Sequence, residues 1–512
     1  MTFNQKIKET IVSNLRLNKI IYLIIVLNLI LTLPLAYNLT VGMDEAYTLN
    51  TTSKDIFYAF KTAISFEDQP PFYFVSLTAW RVFSDSFFWA RLFSVFNISL
   101  MIYVSALLGR KLIPHIRPGW VCITIAFNPF VIWAAIELRG YALTLLLSTF
   151  LLLYFYKTYL SDKPDPKMRI VHIVFSVIAL NTYYYLGFIL VANAVVLLAF
   201  RKWASIKKYT VDLIIPVCSI IYLIPWIPYQ IKYQINTQDT LIHFIGSLKF
   251  IFYRIEDYLF SRRGFYVYSY KDILFDGVLI GFAFLILWKN LRNFAHNFVL
   301  NPKGYLPGII TLLLFIFTLY QVTNREFIEL RHTSFLFIPL IFSVYSFLTS
   351  KPRLTILVSW SLFILFLYSI SLFGRYDTME KNEDAKRIAT YIMNNEAKNQ
   401  PILIFRNEIA LSFQVHYKGK NQVIPIPRPI NFEEPYDHRL WILHDESEIE
   451  RILAQQTGSK YFWLLTAKHQ VVYGVDYNAE ILENFISENF VTIDEKKFYG
   501  DMMLRLIRRR IE

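Results

Sequence analysis

Cysteine is almost missing from this chain: 512 residues hold two, Cys122 and Cys218, each inside an apolar segment. Two such residues build neither a disulfide framework nor a cysteine metal cluster. Histidine is thin as well, nine residues scattered with no HExxH pattern, and no CxxC occurs. No short metal signature is therefore present and no cofactor is demanded; a divalent cation near Asp44 is left open. Charged residues make up 18% of the chain, with 52 Lys and Arg against 39 Asp and Glu, net +13. The basic residues are spread between apolar blocks and form no stripe on one face, so nucleic acid is not expected as a partner. Internal repeats and low-complexity tracts are absent too.

Apolar residues are what the chain has in quantity, 55% of it, including 45 Phe and 34 Tyr. They run in blocks near 20–38, 87–109, 117–136, 140–158, 168–182, 184–200, 210–228, 272–288, 305–321, 333–349 and 354–373. A run of roughly 18 or more apolar residues is long enough to cross a bilayer, which makes about eleven spans. The stretch 168–200 reads as two short helices or as one long span with an interfacial piece. Lys6, Lys8, Arg16 and Lys19 precede the first block as in a signal peptide. No small-x-small cleavage site follows, so an uncleaved first span is expected.

With the N-terminus inside, the cytoplasmic loops are 110–116, 159–167, 201–209, 289–304 and 350–353. They carry Arg110 and Lys111; Lys163 and Lys167; Arg201, Lys202, Lys207 and Lys208; Lys289, Arg292 and Lys303; Lys351 and Arg353. Every one is basic, so the positive-inside rule gives the same orientation each time. An odd number of spans then puts the C-terminal region outside. Short loops and the basic balance point to a bacterial inner membrane.

Two outer loops are long, 39–86 and 229–271. Within the first, 70–83 (PPFYFVSLTAWRVF) mixes aromatics with an Arg and reads as an interfacial helix. From about 377 the texture changes. Helices are expected over 383–396, 407–418, 445–456 and 478–488, with strands over 401–405, 421–426, 461–465 and 498–507. That alternation argues a small α/β domain, and it contains no Gly-rich phosphate loop. The expected architecture is a polytopic α-helical membrane protein, with a membrane domain over 1–376 and a soluble extracytoplasmic α/β domain over 377–512.

Asp44 and Glu45 (VGMDEAY) follow the outer end of the first span. Carboxylates at a membrane edge are costly unless they face a cavity or a partner. They read as a general base beside a bilayer-embedded substrate, or else as a solvated helix cap. Glu137, Arg139 and Tyr141 lie in the tight outer turn AAIELRGYAL, as parts of a site or as an ion pair anchoring a hairpin. Arg331 and His332 stand where an outer loop enters an apolar span. An Arg there suits a phosphate by its bidentate fork, and snorkelling is the plainer alternative. Arg254, Arg262, Arg263 and Lys54 are weaker phosphate candidates. Asp68, before Gln69-Pro70-Pro71, reads as a site residue or as an N-cap. The acidic pair, the Glu-x-Arg turn and the Arg-His pair all fall on the outer face.

The order of these motifs resembles the GT-C membrane glycosyltransferases, of the dolichyl-phosphate-mannose protein mannosyltransferase and aminoarabinose transferase type. It is carried by MDEAY, EDQPPFYFVSLTAWRVF, ARLFSVF, ELRGYAL, YYYLGF and ELRHTSFLFIPL in sequence, over roughly 20–350. The resemblance implies many spans, interfacial helices in the first outer loop, an outer α/β domain, and inverting transfer of a sugar from a polyprenyl-phosphate carrier. It places the family's acidic residue after span one at Asp44, with Glu45 beside it, a second acidic site at Glu137, and the arginine before a late span at Arg331. The chain departs from the pattern at Gln69, at Asn181 with Tyr183-Tyr184-Tyr185, and at His332.

The chemistry suits these residue types. An acceptor hydroxyl is a weak nucleophile and needs a carboxylate to take its proton. A lipid phosphate is already a good leaving group and needs neutralising cations. Asp44 is the expected base, with Glu45 or Glu137 orienting the acceptor. Arg139 and Arg331, with His332 and Arg254, would hold the phosphate. Tyr141, Tyr183 and Tyr184 would line the pocket, with Lys54 and Asp68 at its margin; the tyrosines at 183–185 read equally as an aromatic belt at the interface. The expected partners are a polyprenyl-phosphate-linked sugar, a lipid, glycan or protein acceptor, and membrane lipids. A lipid-linked sugar or polymer transporter is the first rival, and it should show paired halves or broken helices. A non-catalytic assembly or glycan-recognition subunit, and a polymerase or ligase of the same architecture, are the others.

Overall fold

The computed structural model describes residues 3–114, 116–226, 302–321, 333–347, 384–467, 471–472 and 475–510. The blocks expected at 272–288 and 354–373, and the outer loop expected over 229–271, lie outside them. In chain order, and numbered over the described residues, the helices begin with α1 (Phe3–Asn38), α2 (Met43–Thr51), α3 (Ile56–Ser65), α4 (Phe72–Arg81) and α5 (Phe87–Leu112). There follow α6 (Pro118–Ala126), α7 (Pro129–Ile136), α8 (Tyr141–Phe155), α9 (Met168–Thr182), α10 (Gly187–Ala199) and α11 (Trp203–Cys218), then α12 (Pro302–Gln321) and α13 (Phe337–Phe347). The last are α14 (Ala385–Asn395), α15 (Asn407–His416), α16 (Glu446–Ala454) and α17 (Ala479–Asn489). The chain falls into two compact units, Met1–Tyr37 with Asp68–Phe373, and Asn38–Glu67 with Gly374–Glu512.

The first unit is helical. Among the described residues three stretches are long and apolar enough to cross a membrane: Asn18–Asn38, Phe87–Leu112 and Tyr141–Leu160. A fourth is the pair α6 and α7, which would pass the same test together but is bent by 61°. The block expected as one span over 117–136 is thus two helices with a sharp bend between them. The cause is local: one helix stops at Ala126 with Phe127 as its C-cap, and Asn128 caps the next, its Oδ1 accepting the Phe130 N–H at 2.9 Å, with Pro129 at the first helical position. The count of about eleven spans is larger than the described residues support. The stretch 168–200 is two short helices. α9 has 15 residues, about 22 Å at the helical rise, against a hydrocarbon core of about 30 Å. The two part at Tyr183, whose backbone is extended (φ −159°, ψ 117°), and a 3₁₀ turn (Tyr184–Leu186) restarts the chain.

Polar groups tie these helices where the basic loops begin. Arg169 grips Asp212 with two bonds of 2.5 Å, and the Tyr159 hydroxyl donates to the same carboxylate at 2.5 Å. Lys202 donates to the carbonyls of Leu160 and Ser161, at 2.7 and 3.1 Å, closing the helix end left open there. α4 is a helix as expected, followed by Val82 and Phe83, each 80% exposed. Its Trp80 stacks on Trp89, and each indole N–H donates to the other's carbonyl at 2.9 Å.

The second unit is built on a five-stranded sheet in the order β2-β1-β3-β7-β6. The strands are β1 (Ile402–Phe405), β2 (Val423–Ile426), β3 (Tyr461–Ala467), β6 (Phe490–Phe498) and β7 (Met502–Arg509), with β4 (Val471–Val472) and β5 (Val475–Asp476) as a separate small hairpin. β2, β1 and β3 are parallel, while β7 runs antiparallel to β3 and β6. Alternate side chains fill two cores. Ile402, Ile404, Trp463 and Leu465 pack with Ile388 and Ile392 of α14 and Phe413 of α15. Leu403, Phe405, Phe462 and Leu464 pack with Ile449, Leu482 and Phe485, and with Tyr47 and Phe66 from the segment 38–67. The α/β texture after 377 was expected. The membership of 38–67 in the same unit was not.

Candidate active site

In the second unit the acidic pair opens α2. Gly42 is its N-cap, in extended conformation (φ −75°, ψ 167°), and its N–H donates to Glu45 Oε2 at 3.0 Å. That is half of a capping box, and a carboxylate in the first turn also suits the helix dipole. Glu45 is fully buried (0% exposed), whereas Asp44 is only half-buried. The two neighbours therefore differ in burial, and Glu45 holds the helix start. One turn on, Tyr47 is buried among Phe66 and Phe432, with ring centroids 5.6 and 6.1 Å away. Burial pushes its phenol well above the ordinary value, and the charges of Glu408 and Asp44 add to this.

Lys54, expected near a phosphate, pairs with Glu433 at 3.0 Å and lies 4.4 Å from the Tyr58 ring centre. Both charged groups are exposed (56% and 63%), and such pairs contribute little. The hydrogen bond to Glu433 raises the lysine's pKa.

In the first unit the turn between α7 and α8 carries the second constellation. α7 ends at Ile136, and Glu137 leaves it in extended conformation (φ −92°, ψ 129°). Glu137 and Arg139 are each 7% exposed, and neither is without a partner. Buried charge of this kind is rare in a simple hairpin turn. Ser94 donates to the Glu137 carbonyl at 2.9 Å. Tyr141 stacks on Trp133 with centroids 4.7 Å apart, and Gly140 is close-packed on the Tyr73 ring. Tyr183 and Tyr185 lie 5.0 Å apart, and Tyr185 joins Phe188, Phe315 and Phe335 in an aromatic group; Tyr184 is half-buried beside them.

Asp68 is not the cap of α4. Pro71 occupies that position without a side-chain bond, and Asp68 stands three residues earlier with φ 53°. The prolines themselves start the helix, which is why no cap is needed. Arg331, His332, Arg254, Arg262 and Arg263 lie outside the described residues. Among the described residues no three of His, Cys, Asp and Glu stand together as metal ligands.

Two residues of the ARLFSVF motif escaped the sequence reading. Arg91 is fully buried, with Nη1 donating to the Ala36 carbonyl at 2.9 Å and its guanidinium 5.3 Å from the Phe87 ring centre. It closes the end of the first span, and Ser94, one turn on, fastens the Glu137 turn. An arginine inside an apolar run was the available signal.

No family description matches this chain, and no curated protein does. Among solved structures it is similar to ArnT from Cupriavidus metallidurans in the apo state, at 10% identity and TM-score 0.46, over 95% of this chain and 97% of that one. The same ArnT bound to undecaprenyl phosphate gives 10% and 0.43, over 96% and 98%. The archaeal oligosaccharyltransferase AglB from Archaeoglobus fulgidus, in complex with an inhibitory peptide and a dolichol-phosphate, gives 10% and 0.45, over 88% of this chain and 69% of that one. ArnT and AglB are both GT-C enzymes.

Proposed function

We propose that this chain is an inverting glycosyltransferase of the membrane, moving a sugar from a polyprenyl-phosphate donor to a lipid, glycan or protein acceptor on the outer face. The observation that carries the reading is the division within the acidic pair. Glu45 is fully buried and accepts the Gly42 N–H, while its neighbour Asp44 is half-buried and stands at the position where the motif order predicts a base.

In the proposed reaction Asp44 accepts the proton of an acceptor hydroxyl as the oxygen attacks the anomeric carbon. The new C–O bond forms as the bond from that carbon to the phosphate oxygen breaks. Polyprenyl phosphate leaves with the electron pair, and the anomeric configuration inverts. The base contributes on the order of 10²–10⁴-fold. Cations that neutralise the departing phosphate anion are the other requirement, and Arg139, Arg331, His332 and Arg254 are proposed to supply them. Glu137 is proposed to orient the acceptor, and Tyr141, Tyr183 and Tyr184 to line the sugar's path.

The test is transfer of radiolabelled sugar from a polyprenyl-phosphate-sugar pool by membranes carrying wild type or D44N. A loss of about a hundredfold or more in D44N is expected; equal transfer would remove Asp44 as base. One observation favours the transporter reading: the broken pair α6 and α7, since broken helices mark substrate paths in transporters. No counterpart to it stands in another half among the described residues. Movement of lipid-linked sugar across vesicles without any transfer would decide for that reading.

A further inference from the structure

The backbone leading into the Asp44 helix is held by side chains more than three hundred residues away. Lys386 of α14 donates from Nζ to the Asn38 carbonyl at 2.7 Å, and from its backbone N–H to Thr40 Oγ1 at 3.3 Å. His416, the last residue of α15, receives the Val41 N–H on Nε2 at 3.0 Å, and Thr40 Oγ1 lies 3.2 Å from the same nitrogen. An amide N–H is a donor only, so Nε2 presents its lone pair to Val41 and its proton is absent. The next residue, Gly42, is the N-cap of α2.

α2 also packs along α15 beyond this point. At the other end of α15, the Glu408 carboxylate accepts the Tyr477 hydroxyl at 3.3 Å and lies 3.7 Å from Arg406 Nε. Arg406 has φ 65°, an unfavourable conformation for a residue with a side chain, and leads from β1 into α15. The α/β domain thus grips the acidic helix by its leading strap and along its side.

We propose that His416 is a positioning residue for the transfer reaction, fixing through Val41 and Thr40 the backbone from which the Asp44 helix starts. The inference rests on the reading of Asp44 as base. A base acts only within about 2.6–3.2 Å of the proton it takes, and a misplacement of about 1 Å can cost on the order of a hundredfold. Loosening the strap therefore lowers turnover. It leaves donor affinity in place, because the groups proposed to bind the phosphate belong to other segments.

The full-length protein, in membranes and purified, is compared as wild type, H416A, H416Q and D44N. Glutamine is the rescuing variant because its amide oxygen accepts an N–H much as Nε2 does. H416N, one methylene shorter, takes the place of H416A if the alanine variant does not accumulate. The expected result in H416A is a kcat lower by roughly tenfold or more, with donor KM near wild type, and faster hydrogen–deuterium exchange over 39–49. H416Q restores both. Unchanged exchange over 39–49 in H416A overturns the proposal whatever the activity. Faster exchange with full turnover overturns it too, provided D44N is inactive. Should D44N transfer like wild type, the base assignment fails instead, and the exchange result by itself decides whether His416 fixes the strap.

Discussion

Adjacent carboxylates buried to different depths respond differently to the same substitution. Glu45 accepts the Gly42 N–H from within a fully buried site. E45A is expected to destabilise the protein by about 1 kcal/mol, the ordinary cost of a lost cap, while E45Q keeps an accepting oxygen at the N3 position and holds stability. Thermal unfolding in detergent checks this; equal loss in both variants would deny the cap its role. D44N should show the reverse, with stability kept and transfer lost. A second residue sets a pH limit. Burial, reinforced by hydrogen bonding to Glu396, pushes the Tyr417 phenol up from 10.0 to about 12. The folded state keeps its proton where the unfolded chain has lost it. This contribution is whole below pH 10 and declines as pH rises through about 12. Y417F should flatten that part of the alkaline stability profile, and an unchanged slope between wild type and Y417F would count against it.

At the scale of elements, α12 and α13 meet with almost no space. A Cβ on Gly308 would collide with the Pro339 backbone and Ser343 Oγ, and Ser343 donates to the Tyr305 carbonyl at 2.9 Å. Backbone cannot yield as a flexible side chain does, so G308A should cost about 1–3 kcal/mol, read as a lower apparent melting temperature. A melting point equal to wild type would mean that the helices part freely. Elements with their own periodicity were legible beforehand: the helices near 385–395 and 479–489 and the strand at 402–405 lie where spacing put them. β6 was not. Seven of its residues are exposed, from Val491 to Lys497, and its sequence FVTIDEKKF reads as a polar loop. An edge strand protected by charge loses the alternation that betrays a strand. The break at Asn128 was hidden for the opposite reason, since both flanking helices are uniformly apolar and a hydropathy window averages across a single cap.

For the whole molecule, the consequence lies in how the chain divides. Residues 38–67 leave the helical unit, join the α/β unit, and return. Tyr47 and Phe66 sit in the same core as Phe405, Phe432 and Leu464, and the Tyr436 N–H donates to the Ser65 carbonyl at 3.3 Å. Truncating one buried ring should loosen the whole insertion. Y47A is expected to cost about 3 kcal/mol and to open 38–67 to limited proteolysis. Cleavage elsewhere, with this segment intact, would show that the insertion holds without the ring.

Composition and periodicity alone determined that the chain belongs in a membrane, that an α/β domain follows the apolar blocks, and where the charged motifs fall in the chain. Those properties are local, written in runs and in repeats of two or of three to four residues. Only the tertiary structure decided which of two adjacent acids is a cap, that the turn charges Glu137 and Arg139 are buried, and that residues 38–67 fold with the C-terminal domain. The bond from Val41 to His416 joins residues 375 apart. Its donor is a backbone amide that every residue except proline carries, so no pattern in the sequence could have marked it.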